Sequence, residues 1–155
     1  MTGTIVSIHI ARTGDGELTA LQQAQLKAGK GIVGDRNYSH TGTEPEKELT
    51  LVEAEQIERF NTETGLNIDA GNTRRNIVTR GVSLNTLVGE EFTIGAVKAK
   101  GVELCQPCRY LGDLLAADHM TTPKIVAALR DRAGLRARIP EDGKVCVGHT
   151  IAVDV

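Results

Sequence analysis

Apolar and polar residues alternate through positions 4–11, with Val6, Ile8 and Ile10 on one face and Ser7, His9 and Ala11 on the other, which predicts a half-buried strand. The same period of two returns at the end of the chain in Ile151, Val153 and Val155. Further runs of strand character lie at about 18–28, 76–79, 91–94, 96–104, 136–140 and 144–147, most of them bounded by glycine. Asp142-Gly143, between the last two runs, predicts a hairpin turn. Three helices interrupt this pattern. Thr50 and Glu53 have the T-x-x-E spacing of a capping box ahead of Ala54, Ile57 and Phe60, with Gly65 as the stop. Leu111, Leu114 and Leu115 predict a short helix after Pro107. The third has Thr122 as N-cap, Pro123 at its first position, then Ile125, Val126 and Leu129, with Gly134 beyond the end. Short, irregularly spaced strands with a few helices predict a mainly β (α+β) domain of barrel type, not a doubly wound sheet.

The 155 residues are the length of one domain, taken as 1–155. At 40% hydrophobic and 25% charged, the chain matches ordinary globular domains and is long enough to bury a core without disulfides. Aromatic residues are only 3%, with no Trp, so the core falls to Val, Ile, Leu and Ala. The same scarcity removes the stacking platforms of single-strand nucleic-acid binders. A formal net charge of -2 gives no pull toward nucleic acid or acidic membranes, so neither is expected as a partner. No apolar run approaches the roughly 20 residues of a bilayer span. The opening MTGTIVSIHI lacks the features of a signal peptide, and three cysteines are a poor disulfide framework. The expected location is cytoplasmic, with free thiols.

Three segments stand above this background. Cys105-Gln-Pro-Cys108 has the spacing of a redox dithiol, half a zinc site, or one reactive thiol beside a spectator. A second pair of zinc ligands is missing, since Cys146 and His9, His40, His119 and His149 show no ligand-like spacing. The βαβ context of a thioredoxin motif is missing too. Arg109 and a following helix N-terminus favour the thiolate at Cys108, the form a soft metal or a sulfur-transfer step requires. The plainer reading is two buried small hydrophobes at a strand end. The second segment is Gly71-Asn-Thr-Arg74-Arg75-Asn76, in a stretch from Ala70 to Gly89 with three Arg and no acidic residue. Adjacent arginines entering a strand point to opposite faces, so one turns inward and calls for an anion. A solvated basic turn is the alternative. The third, Gly29-Lys-Gly-Ile-Val-Gly34-Asp35-Arg36, is neither a P-loop nor a dinucleotide fingerprint. Its glycines allow backbone N–H groups to approach an anion, and Asp35 can orient an arginine or cap a turn. Arg130, Arg132, Arg136 and Arg138 form a weaker basic stretch at a helix end and a strand face.

In order along the chain, these pieces resemble the MOSC domain, the C-terminal domain of molybdenum cofactor sulfurases. They are Gly31-Ile-Val-Gly34-Asp35-Arg36, Leu49-Thr-Leu-Val-Glu53-Ala-Glu55, Arg74-Arg75-Asn76-Ile77-Val78-Thr79-Arg80-Gly81-Val82, Leu87-Val-Gly89 with Phe92-Thr-Ile-Gly95, Cys105-Gln-Pro-Cys108, and Gly134-Leu-Arg136-Ala with Gly143 and Val147-Gly148. The resemblance covers about residues 4 to 155 and implies a MOSC-type β-barrel binding the molybdenum cofactor (molybdopterin), a pterin with a dithiolene and a phosphate. It implies Cys108 as metal ligand or sulfur carrier, with Cys105 a less certain second ligand. It also implies Arg74, Arg75, Asn76 and Arg138 as cofactor-binding groups, with the Gly34-Asp35 turn at the barrel mouth.

The pyridoxal-phosphate desulfurase that precedes this domain in the sulfurases does not fit in 155 residues, so no pyridoxal phosphate is expected. Nor is there a cluster-ligating cysteine set. Two functions are therefore expected. One is an oxidoreductase domain for molybdenum-dependent reduction of N-oxygenated small molecules, with electrons from a separate reductase. The other is a sulfur carrier or cofactor-delivery module that takes sulfur as a Cys108 persulfide from a cysteine desulfurase. A zinc- or thiol-stabilised β domain without molybdenum is the third.

Overall fold

The computed structural model describes residues 2–14, 16–117 and 119–153. Its main sheet contains strands β1 (Thr2–Ala11), β2 (Leu18–Leu21), β5 (Leu49–Glu53), β6 (Ile77–Arg80), β7 (Glu91–Ile94), β8 (Val97–Leu104), β9 (Leu135–Arg138) and β11 (Thr150–Val153). They hydrogen-bond in the order β11-β7-β8-β9-β5-β6-β1-β2, and β1 also pairs with β11. That pairing closes a seven-stranded barrel and leaves β2 as a flap on β1. A three-stranded sheet of β3 (Gln23–Lys27), β4 (Gly31–Ile32) and β10 (Gly143–Cys146) stands beside it. All barrel neighbours are antiparallel except β5 and β6. These run parallel because α1 (Ala54–Thr64) and a 3₁₀ turn at Ala70–Thr73 form the crossover between them.

The interior is aliphatic, as the composition requires. Ile5, Ile8, Ile10, Leu49, Leu51, Ile77, Ile94, Leu135 and Ile151 fill the barrel around Phe92. A second cluster joins α1 to α2 (Arg109–Leu115) and α3 (Thr122–Leu129) through Phe60, Leu111, Leu115, Ile125 and Leu129. α1 is seated on the barrel by Ala54 and Ile57 against Val52 and Val78. Among the described residues no helix is long and apolar enough to cross a membrane.

The expected elements exist, with four corrections. β1 carries an irregularity between Ile5 and Ser7, and the alternation changes phase there. Gly3 and Ile5 point inward before it, Ile8 and Ile10 after it, and Val6 is left 43% exposed instead of joining the core. The run at 18–28 is two strands that belong to different sheets. Thr50 is not a helix cap: it lies in β5, and α1 starts after Glu53 with no side-chain cap bond. Asp142-Gly143 does not turn a hairpin, since β9 pairs with β5 and β8 while β10 pairs with β3. Asp142 instead accepts the Ala28 N–H at 2.8 Å, tying the small sheet together. The expected stops and starts are closer. Gly65 ends α1 at φ 73°, while α3 begins one residue earlier than expected, with Thr121 as N-cap, Thr122 as its first residue and Pro123 as its second. Val155 lies outside the described residues.

Candidate active site

The strand registers bring chain segments from across the sequence to one end of the barrel. Ile8 pairs with Ile77, Leu51 with Ile77 and Leu135, and Leu104 with Leu135. The ends of β1 and β8 and the starts of β6 and β9 therefore open together. A cavity of about 400 Å³ lies here, lined by Gly14, Arg36, Thr73, Arg74 and Arg75 with Cys108, Tyr110 and Leu111 from the start of α2. Three arginines line it, and no carboxylate does among the described residues. A second cavity of about 540 Å³ shares Arg74 and adds Glu17 and Asn72 to an apolar wall of Leu18, Ile68, Leu114 and Leu115.

Each arginine is held differently. Arg74 has the left-handed conformation, φ 63°, that ends the 3₁₀ turn. The pair is therefore not extended, which is why both side chains reach one cavity instead of opposite faces. Arg74 Nη1 and Nη2 donate to the Gly16 and Gly14 carbonyls at 3.0 Å each and so hold the loop after β1. Arg75 spends only Nε, on the Ala133 carbonyl at 2.8 Å. Burial lowers the Arg75 pKa, against the attraction of Cys105 and Cys108 and with the repulsion of Arg136 and Arg36. Arg36 Nη1 is buried with no hydrogen-bond partner, and its nearest carboxylate, Asp35 Oδ1, is 3.7 Å away. A guanidinium in this condition is costly unless an anion completes it.

The two cysteines of the CxxC part company. Cys108 is exposed and is the N-cap of α2, at the cavity. Cys105 is fully buried among Phe60, Leu111 and Ile125, and burial pushes its thiol pKa up against the pull of Arg75 and Arg136. It stays a protonated core residue and is not in the cavity wall. All three cysteines are free. Among the described residues no group of three His, Cys, Asp or Glu side chains is placed to hold a metal ion. Arg109, expected beside the thiol, is 90% exposed and reaches toward Asp113 instead.

The remaining candidates do not line the cavity. Asn76 is buried beneath it. Its Oδ1 accepts the Thr50 N–H and hydroxyl at 3.0 Å each, while Nδ2 donates to the His9 carbonyl at 3.1 Å. Asn76 thus ties β5, β6 and β1 together. Asp35 accepts the Ala11 N–H, and Gly34, at φ 91°, backs onto Ile10 and Arg12. Arg138 is at the far end of β9, with Nε 3.8 Å from the buried Glu48 carboxylate. Arg36, Thr73, Tyr110 and Leu111 were not singled out as binding residues from sequence. Arg36 had a signal, its place next to Asp35 in a glycine-spaced turn.

The MOSC domain family model matches residues 37–152. No curated protein matches the chain. Among solved structures, the YuaD protein of Bacillus subtilis is 18% identical with a TM-score of 0.85, over 97% of this chain and 94% of that one. YiiM of Escherichia coli is 16% identical with a TM-score of 0.74, over 100% and 70%. YiiM of Geobacillus stearothermophilus is 15% identical with a TM-score of 0.73, over 99% and 75%. With a family model spanning most of its length and a closed seven-stranded barrel under that match, the chain belongs to the MOSC domain family.

Proposed function

We propose that this MOSC domain binds the molybdenum cofactor in the cavity between Arg36, Arg75 and Cys108 and serves as the catalytic domain of a reductase for N-oxygenated small molecules. The observation that carries the reading is Nη1 of Arg36, buried without a hydrogen bond and held only by its 3.7 Å ion pair with Asp35, in a cavity with two more arginines and an exposed thiol. That donor set fits the group. Guanidinium forks match a phosphate, and a thiolate suits a soft metal. Arg36 and Arg75 are the phosphate-binding pair, because Arg74 is occupied with the Gly14 and Gly16 carbonyls. Cys108 Sγ is the ligand to the metal. When bound, the cofactor supplies the centre for oxygen-atom transfer. The chain's own residues orient it, and the adjoining cavity behind Arg74 offers an apolar wall and the Glu17 and Asn72 polar groups to a substrate. Electrons come from a separate reductase.

Exposure of Cys108 favours a second reading, a sulfur carrier loaded by a cysteine desulfurase. One experiment separates the two. The protein is produced in a host that makes the cofactor, purified without oxygen, and molybdenum and zinc are measured per chain for wild type and Cys108→Ala. Molybdenum near one per chain, lost in the variant, supports the cofactor site. Wild type without molybdenum, with persulfide on Cys108 after incubation with a desulfurase, replaces it with the carrier.

A further inference from the structure

On the outer face of the barrel, Ser7 and His9 point the same way from β1, with Ser7 Oγ 2.9 Å from His9 Nε2. The irregularity between Ile5 and Ser7 puts them there, since it resets the alternation just before Ser7. Bulges recur where a strand re-aims a functional side chain. The pair lines a cavity of about 420 Å³ whose other walls include Leu18, Ala20 and Ala70, with Asp69 among them. His9 is fitted closely under the crossover: a Cβ at Gly71 would lie 3.1 Å from its Cε1. Partial burial lowers its pKa, which keeps the ring neutral and able to take a proton. The Asp69 carboxylate caps the 3₁₀ turn at Ala70–Thr73 and is exposed.

We propose that Ser7 and His9 form a second reactive site, a serine nucleophile with a histidine base that accepts small acyl groups from neutral or cationic esters. Ser7 Oγ forms the new bond to the acyl carbon and the ester C–O bond breaks. The hydroxyl proton passes to His9 Nε2 and from there to the departing alkoxide, and no electrons are gained or lost. Water then hydrolyses the acyl-serine with His9 again taking the proton. Leu18, Ala20 and Ala70 provide an apolar seat for a short acyl chain, and Asp69 at the wall disfavours anionic esters. No carboxylate is bonded to the imidazole among the described residues. Water attack is therefore slow, and the acyl-serine accumulates.

The test is incubation of the full chain with p-nitrophenyl acetate, followed by peptide mass mapping. One acetyl group on Ser7 is expected. Labelling should fall about 100-fold in His9→Gln, the scale of a lost general base, and vanish at that position in Ser7→Ala. Labelling is read at Ser7 alone and on molybdenum-free protein, so failure here and failure of the cofactor reading are distinguishable. Unlabelled Ser7 in the folded wild type, or equal rates in wild type and a His9→Gln protein with native circular dichroism, overturns the proposal.

Discussion

Asp35 accepts the Ala11 N–H on Oδ1 at 3.0 Å, and the next residue completes the tie, with the N–H of Arg36 donating to the Ala11 carbonyl at 2.7 Å. Asp35 Oδ2 also accepts the Asn37 N–H at 3.3 Å. The backbone on both sides of Arg36 is thereby fixed to the end of β1, and the guanidinium is delivered to the cavity. Asp35 is a positioning residue. Asp35→Ala leaves the Ala11 N–H without its partner and should cost about 1–3 kcal/mol in urea unfolding. Inorganic phosphate should raise the thermal midpoint of the wild type, and Asp35→Ala should abolish that rise. Asp35→Asn keeps a carbonyl oxygen for Ala11 and should retain most of that phosphate response. A full response in Asp35→Ala would break the link between this bond and Arg36.

Arg75 tests the guanidinium fork itself. Its Nε is committed to Ala133, which leaves the two terminal nitrogens for an anion. Arg75→Lys keeps the positive charge near Cys105 and Cys108 but loses both the fixed fork and the bond to Ala133. Phosphate affinity by calorimetry should fall at least tenfold, while Arg109→Lys, on an exposed side chain, should leave it unchanged. Equal affinity in Arg75→Lys would assign the anion to Arg36 alone.

The barrel was readable because its strands alternate and its turns carry glycine, and α3 because Pro123 lies in its first turn. Closure was not readable, for it depends on pairing β1 with β11, the two ends of the chain. Thr50 misled for a physical reason: a hydroxyl placed three residues before Glu53 satisfies a capping box or a buried amide equally well, and here Asn76 claims it. Arg74 and Arg75 were visible as a pair of which one turns inward and calls for an anion. That both serve one cavity depends on the left-handed turn at Arg74, which no local pattern announces. Cys105 and Cys108 were legible as a motif, but their separation into core and surface follows only from how α2 packs.

Gly134 shows how tightly the site end of the barrel is closed. Its φ is 114°, and a Cβ there would lie 2.1 Å from the Leu51 carbonyl oxygen, which belongs to backbone and cannot step aside. Its own carbonyl accepts the Cys105 N–H at 2.8 Å. Gly134→Ala should therefore destabilise by about 3 kcal/mol or more through combined strain and clash. Because Ala133 holds Arg75, the variant should also lose phosphate binding in whatever fraction remains folded. A urea midpoint within error of wild type would contradict the backbone conformation described for this turn.

Glu48 gives a pH prediction with a definite sign. Its side chain is 2% exposed, and Oε1 accepts the N–H groups of Gly29 at 3.1 Å and Ile139 at 3.0 Å. Burial raises its pKa above the ordinary 4.5, outweighing the bond from Ile139, the charge of Arg138 and the bond from Gly29. The folded chain thus holds the proton more tightly than the unfolded chain. Its contribution to stability is fully present below the unfolded pKa and is lost as pH rises through the folded one. Glu48→Gln retains a carbonyl oxygen for both N–H groups and carries no charge to desolvate. It should match wild type at low pH, become the more stable of the two above the folded pKa, and flatten the slope between. Glu48→Ala, which orphans the Ile139 N–H and leaves the Gly29 N–H only its 3.1 Å bond to the Ile139 carbonyl, should be less stable than Glu48→Gln at every pH, by about 1–3 kcal/mol. Urea unfolding of the three proteins from about pH 4 to about pH 8, spanning the carboxylate range, provides the measurement. A wild type that gains on Glu48→Gln as pH rises would reverse the assignment and make the Arg138 ion pair the dominant interaction of that carboxylate.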